Sequence, residues 1–194
     1  GITGGVGIAG EAGGVIERDA ATGAPTGLVL EGAFKALCRA MPRATDEDVR
    51  AHVLAAQRDL LSLGFVEVHD MMTSARDAGV LCAMEEAGEL ELEVVCYAVA
   101  EEFEGVRRRL AAHEAATPRA RVRFGGLKLC TDGTLNSRTA HMLHPYADTI
   151  PDHPCGRRLM TRAAIDEAFG RARAESFDVA AHAIGDGAVR TLLD

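Results

Sequence analysis

The chain reads as an α/β protein with a parallel sheet, on three observations. Four short apolar segments (residues 65–70, 92–99, the run through Lys128, and 178–182) have the length and composition of strands. Segments with apolar residues at the three- and four-residue spacing of amphipathic helices alternate with them. Polar residues with chemical potential, His69-Asp70, Lys128 with Asp132, and His182, all fall where a strand ends. Strands alternating with helices make βαβ units, and four such units are half of a TIM (β/α)8 barrel. A small doubly wound sheet satisfies the same pattern. In either fold, functional residues gather where the strands end and the following loops begin.

Each element has a local cause. Near the start, Gly5-Val-Gly-Ile-Ala-Gly10 matches GxGxxG. A dinucleotide turn needs a strand before it and a helix after it. Here no strand precedes the match in this sequence and Gly13-Gly14 follow it, so a nucleotide site is not expected from it. Residues 15–19 and 24–30 read as two short strands around a turn at Thr22-Gly23. Residues 30–40 read as a short helix stopped by Pro42. Thr45 with Asp48 then opens a longer helix, whose apolar face is Val49, Val53, Ala56, Leu60 and Leu63 and whose stop is Gly64. The strand over 65–70 follows. Ser74 with Asp77 starts a helix running to about Gly88, and residues 92–99 form the next strand. Phe103, Val106 and Leu110 mark the helix after it. Beyond the Lys128 strand, Asp132 to about Met160 is irregular. That stretch is too long for a plain linker in a compact domain and is expected to be an active-site loop. A helix bearing Ile165, Ala168, Phe169 and Ala172, the strand over 178–182 and a helix from Asp186 complete the chain. The expected organisation is an N-terminal arm over 1–45, with hairpin and short helix, and a partial (β/α)8 domain over 46–194.

Composition removes several classes of function. The 194 residues suffice for one domain with a core, or for part of a larger one. The chain is 47% hydrophobic but only 4% aromatic and has no Trp, so its core must be mostly aliphatic. The net charge is -8, and the basic residues form no patch interleaved with aromatics, which argues against nucleic acid. The five Cys are scattered without a CxxC pair, against both a zinc ribbon and a disulfide scaffold. No apolar run reaches the length of a membrane span, since residues 92–100, the longest candidate, contain Glu93. No signal-peptide pattern is present, and the chain starts Gly-Ile-Thr as though cut from something longer. A reducing, cytoplasmic setting is expected.

The stretch 124–139 holds the densest chemistry. On the two-residue strand period, Lys128 shares a face with Gly126, Cys130 and Asp132, while Leu127 and Leu129 share the other. A half-buried ammonium has to be paired, deprotonated or modified. An ion pair with Asp132 meets that need in a purely structural way. A neutral lysine meets it differently, by taking up carbon dioxide as a carbamate. That anionic oxygen ligand suits a divalent metal beside imidazoles. His182, ending a buried strand, is then either such an imidazole or a hydrogen-bonded core residue. A neutral Lys128 also suits Schiff-base chemistry on a carbonyl substrate. Only the metal reading requires His182.

The run Gly126-Leu-Lys-Leu-Cys-Thr-Asp-Gly-Thr-Leu-Asn-Ser-Arg-Thr-Ala140, with Met142-Leu-His-Pro-Tyr-Ala-Asp148 and His182-Ala-Ile-Gly-Asp-Gly-Ala-Val189, resembles the amidohydrolase superfamily. Its branch resembles the one containing N-substituted formamide deformylase and related metal-dependent hydrolases. Gly14-Val-Ile-Glu-Arg-Asp19, Pro25-Thr-Gly27, Glu31 and Gly64-Phe-Val-Glu-Val-His-Asp-Met71 fit the same branch. The resemblance runs nearly end to end and in order. It implies barrel strands two to five of a protein more than twice this length. It also implies that Lys128 is the strand-four lysine, carbamylated and metal-bound, and that His182 is the strand-five histidine ligand.

The implied cofactor is a divalent metal, zinc, in the full-length protein, and the implied reaction is hydrolysis of a C–N amide-type bond other than a peptide bond by metal-bound hydroxide. The HxH pair after strand one, the His after strand six and the Asp after strand eight have no counterpart here. His141-Met-Leu-His144 is not HxH and lies in the long loop. His69, Asp132, Arg138 and Asp186 are the expected pocket residues. Helix capping by Asp70 competes with a pocket role for the His69-Asp70 pair, and a loop salt bridge competes for Arg138. Asn136 replaces a usual glycine and Cys130 a usual aromatic. Expected partners are a small-molecule substrate, neither nucleic acid nor membrane, and further copies of the chain in a homo-oligomer joined at unpaired sheet edges. The alternatives are a Schiff-base lyase using Lys128, or an inactive fragment that only self-associates.

Overall fold

The structure is a computed structural model that describes residues 15–30, 33–148 and 153–194. The GxGxxG match at 5–10, Gly14 and Glu31 lie outside the described residues. Strands β1 (Val15–Arg18) and β2 (Pro25–Leu30) pair antiparallel. Their turn is held by the Asp19 carboxylate, which accepts the amides of Ala21 and Thr22 and the Thr22 hydroxyl. Because Leu30 belongs to β2, helix α1 begins only at its Ala33–Ala40 span, later than the apolar run suggests.

Helix α2 (Asp46–Ser62) opens with the capping box read from the sequence: Thr45 Oγ1 accepts the Asp48 amide at 3.1 Å, and Asp48 accepts the Thr45 amide at 2.7 Å. At its other end the amides of Gly64 and Phe65 donate back to Leu61 and Leu60. Those bonds keep Phe65 out of the sheet, so β3 covers only Glu67–Asp70, and Phe65 and Val66 remain exposed. The buried member of α2 is Gln57, whose amide accepts from Glu91 and Leu92 and donates to the Glu89 carbonyl.

Then follow α3 (Ala75–Glu86), β4 (Glu93–Ala98), α4 (Phe103–Ala116), β5 (Val122–Cys130), α5 (Arg162–Glu175), β6 (Asp178–His182) and α6 (Asp186–Leu193). Ser74 and Thr161 cap α3 and α5 through their hydroxyls. The main sheet is parallel, with strand order β3-β4-β5-β6. That order follows the chain with no reversal, and α3, α4 and α5 all pack on one face. A doubly wound sheet would reverse its order and place helices on both faces. The four strands instead curl as half of a (β/α)8 barrel.

The core lies between that face and its helices. Val94, Cys96, Ala98 and Val122 meet Ala78, Leu81, Met84, Val106 and Leu110. Further along, Leu127 and Leu129 meet Phe103 and Ala168. The chain divides into two compact units, residues 44–130 with 160–182, and residues 1–43 with 131–159 and 183–194. The sheet belongs to the first unit. No described helix is long and apolar enough to cross a membrane.

One half-buried carboxylate ties this unit together. Glu85 of α3 takes the amides of Arg121 and Val122 at the start of β5 and lies 2.8 Å from His113 Nε2 of α4. Burial pushes its carboxyl up, but the Arg121 amide, the His113 ring and the Val122 amide outweigh burial and hold it below the ordinary 4.5. A group depressed on folding stabilises above its unfolded value and loses that contribution as pH falls through the folded one. Glu85→Ala is therefore expected to cost about 3 kcal/mol near neutral pH, and the gap to wild type should narrow well below 4.5. Urea unfolding of both proteins at the two pH values checks it.

Candidate functional site

Helices cover one face of the sheet, and the opposite face carries its polar side chains. Alternation places Glu67 and His69 of β3, Tyr97 of β4, Arg123, Lys128 and Cys130 of β5, and Asp178 and His182 of β6 on this second face. A straight two-residue period back from Lys128 would put Phe124 there too. The ladder slips instead. Cys96 pairs with Phe124 and Tyr97 with Gly126, which leaves Gly125 as the extra residue of a β-bulge. Phe124 thereby joins Phe103 on the helix side, with ring centroids 5.4 Å apart, while Lys128 stays on the polar face. Gly126 has φ of 155°, and a Cβ there would lie 1.9 Å from the Asp178 carbonyl oxygen. Only glycine lets β5 bulge and still pair with β6.

Beyond the bulge, Lys128 pairs in register with Ala180 and Cys130 with His182. Lys128 and His182 thus stand on neighbouring parallel strands, on one face, a single rung apart. Both are half-buried. Lys128 has no hydrogen-bond or ion-pair partner among the described residues, so the structural ion pair considered for it is not formed.

Lower on the same face lies an ionic floor. Arg123 Nη2 contacts Glu67 at 2.7 Å and Glu93 at 2.8 Å. His69 Nε2 is 3.2 Å from Glu67 Oε1, and its ring stacks on Tyr97 at 5.7 Å between centroids. That hydrogen bond from His69, helped by Arg123, holds the Glu67 carboxyl below its ordinary value. The Tyr97 phenol is pushed up, by burial first and then by the carboxylates of Asp178 and Glu67. Tyr97 and Arg123 were not singled out by sequence reasoning. Their alternate positions along strands of known direction are the signal that finds them. Asp70 accepts the Thr73 hydroxyl at 2.7 Å, and the cap of α3 is Ser74, not Asp70.

The remaining pocket candidates belong to the other unit. Asp132 is 2% exposed, and its carboxylate accepts three backbone amides: Ile184 at 3.0 Å, Gly185 at 2.8 Å and His141 at 2.9 Å. It fastens the long loop to the turn before α6. That approach is tight, since a Cβ on Gly185 would lie 2.0 Å from the His141 carbonyl oxygen. Hydroxyls of Thr134, Ser137 and Thr139 bond one another within the loop. Arg138 holds Asp148, with Nε at 2.8 Å, which raises the guanidinium and lowers the carboxyl. Asp186 accepts the amides of Leu143 and Gly187, each at 2.8 Å. His141 Nδ1 is buried without a hydrogen-bond partner among the described residues, and His144 is exposed.

Among the described residues, no three His, Cys, Asp or Glu side chains converge to hold a metal. Lys128 and His182 nevertheless suit one as partial ligands. Lys128 is half-buried with no counter-ion among the described residues, a setting that favours loss of its positive charge, and it stands one rung from an imidazole on the same face.

A family model described as the amidohydrolase family matches residues 5–194. Among curated proteins, the amidohydrolase YtcJ of Bacillus subtilis (strain 168) is 28% identical over 193 residues, covering 94% of this chain and 34% of the relative. Two solved structures, both uncharacterized metal-dependent hydrolases, resemble the fold. The one from Pyrococcus horikoshii OT3 has a TM-score of 0.69 at 30% identity, covering 91% of this chain and 35% of the other. The one from Pyrococcus furiosus has a TM-score of 0.67 at 31% identity, covering 91% and 36%. The chain thus spans about a third of the length of these relatives.

Proposed function

This chain belongs to the amidohydrolase family, and on that footing we propose that Lys128 and His182 are its contribution to a divalent-metal site that hydrolyses a small molecule at a non-peptide C–N bond. The observation that carries this reading is the shared face and single-rung offset of the two residues, with no counter-ion on the lysine among the described residues. In the proposal Lys128 is a carbamate that offers an anionic oxygen, and His182 offers a neutral imidazole nitrogen. A divalent cation such as zinc, held there by Lys128 and His182, would supply Lewis-acid activation of water. His69 and Tyr97 form the floor of the same face, and the Glu67–Arg123–Glu93 ion group keeps that floor fixed. The sequence runs at 126–140 and 182–189 favour the N-substituted formamide deformylase-like branch, and the cytoplasm is the proposed compartment.

The test uses a family-length protein that carries this chain, assayed on N-substituted formamides and related amides. Stoichiometric metal, activity lost on chelation and activity restored by zinc are expected. Borohydride treatment with substrate should leave no adduct on Lys128. Full activity in metal-free protein, or a trapped adduct on Lys128, would overturn the reading in favour of the lyase.

A further inference from the structure

Cys130 pairs directly with His182 across β5 and β6, and it projects to the same face, two residues beyond Lys128. It is half-buried, in no disulfide, and without a hydrogen-bond partner among the described residues. The other thiols of this unit are placed differently. Cys82 and Cys96 lie in the core on the helix side, where burial pushes them up to about 11 and about 12, as befits inert structural thiols. Cys130 alone among the described cysteines of the sheet faces the polar side.

We infer that Cys130 is a third donor to the cation of Lys128 and His182, which makes the centre one of carbamate, imidazole and thiolate. The inference rests on the metal reading above and adds a ligand to it. Neighbouring strands are about 4.8 Å apart. Zinc–sulfur and zinc–nitrogen bonds run to about 2.3 and 2.1 Å, so two short side chains on one rung converge on a single ion. The four-carbon stem of Lys128 spans the one-rung difference from below. A thiolate in the set favours borderline and soft cations, zinc and cadmium, over magnesium or manganese.

Cobalt(II) loaded into the family-length protein provides the probe, with elemental analysis run alongside. A sulfur-to-cobalt charge-transfer band in the near ultraviolet is expected, lost in both Cys130→Ala and the near-isosteric Cys130→Ser. Zinc affinity should fall about tenfold or more in each. Far-ultraviolet circular dichroism confirms that the variants fold. Stoichiometric cobalt without that band, or a band that survives both substitutions, overturns the role of Cys130 and leaves the metal site standing. Absence of bound cobalt overturns the metal site and the inference together.

Discussion

Lys128→Ala in a family-length protein is expected to empty the metal site and to lower hydrolysis by about a thousandfold or more. Two effects combine. The proposed carbamate oxygen would be lost outright, and alanine offers no donor in its place. Without a cation to acidify it, water would be a far weaker acid, and hydroxide would be scarce at neutral pH. The same change should leave stability nearly untouched. Lys128 has no ion-pair or hydrogen-bond partner among the described residues, so its removal strands no buried opposite charge. Elemental analysis, a rate assay and a thermal melt separate these consequences. Full metal occupancy in the variant contradicts the ligand role, whereas a collapsed melt would mean that the lysine is structural after all.

Asp132→Ala is expected to act the other way, on structure before chemistry. Three amides, those of His141, Ile184 and Gly185, lose one charged acceptor in a site where the carboxylate is 2% exposed. Bonds to a charged group each contribute about 1.5–3 kcal/mol, and buried donors left unsatisfied add their own penalty. A loss of about 3 kcal/mol or more is expected, centred on the loop and the start of α6. Asp132→Asn, which keeps one oxygen acceptor, should lose less. Hydrogen exchange at the three amides is the measurement. Unchanged protection in Asp132→Ala would mean that the carboxylate is not the clamp.

What the sequence revealed was local. Thr45 with Asp48, Ser74 with Asp77, and Gly64 lie within a few residues of the backbone groups they satisfy, so their roles can be read along the chain. The parallel sheet was also legible, because three helices of similar length alternate with the strands and force parallel crossovers, but that alternation alone did not choose between barrel and doubly wound order. The family resemblance, carried by runs around Lys128 and His182, pointed to the amidohydrolase family that the comparisons show.

Non-local causes were harder to see. The bulge at Gly125 shows only against β4 and β6, although the Gly-Gly pair hints at it. Phe65 and Val66 look like strand residues, but the end of α2 claims the Phe65 amide. Asp132 reads as a pocket acid beside a catalytic lysine, while its amide partners stand 9, 52 and 53 positions along the chain. The sequence reading set an arm over 1–45 apart from a domain over 46–194, whereas the compact units are residues 44–130 with 160–182 and residues 1–43 with 131–159 and 183–194. The joining of 131–159 and 183–194 with the N-terminal segment was not visible, because no local pattern encodes it.

The central claim is that Lys128 works as a carbamate, and carbon-13 NMR tests it most directly. The metal-loaded family-length protein is equilibrated with labelled bicarbonate. A carbamate resonance is expected in wild type and should be absent from Lys128→Ala. A fully metal-loaded, active wild-type protein that shows no such resonance would contradict the claim.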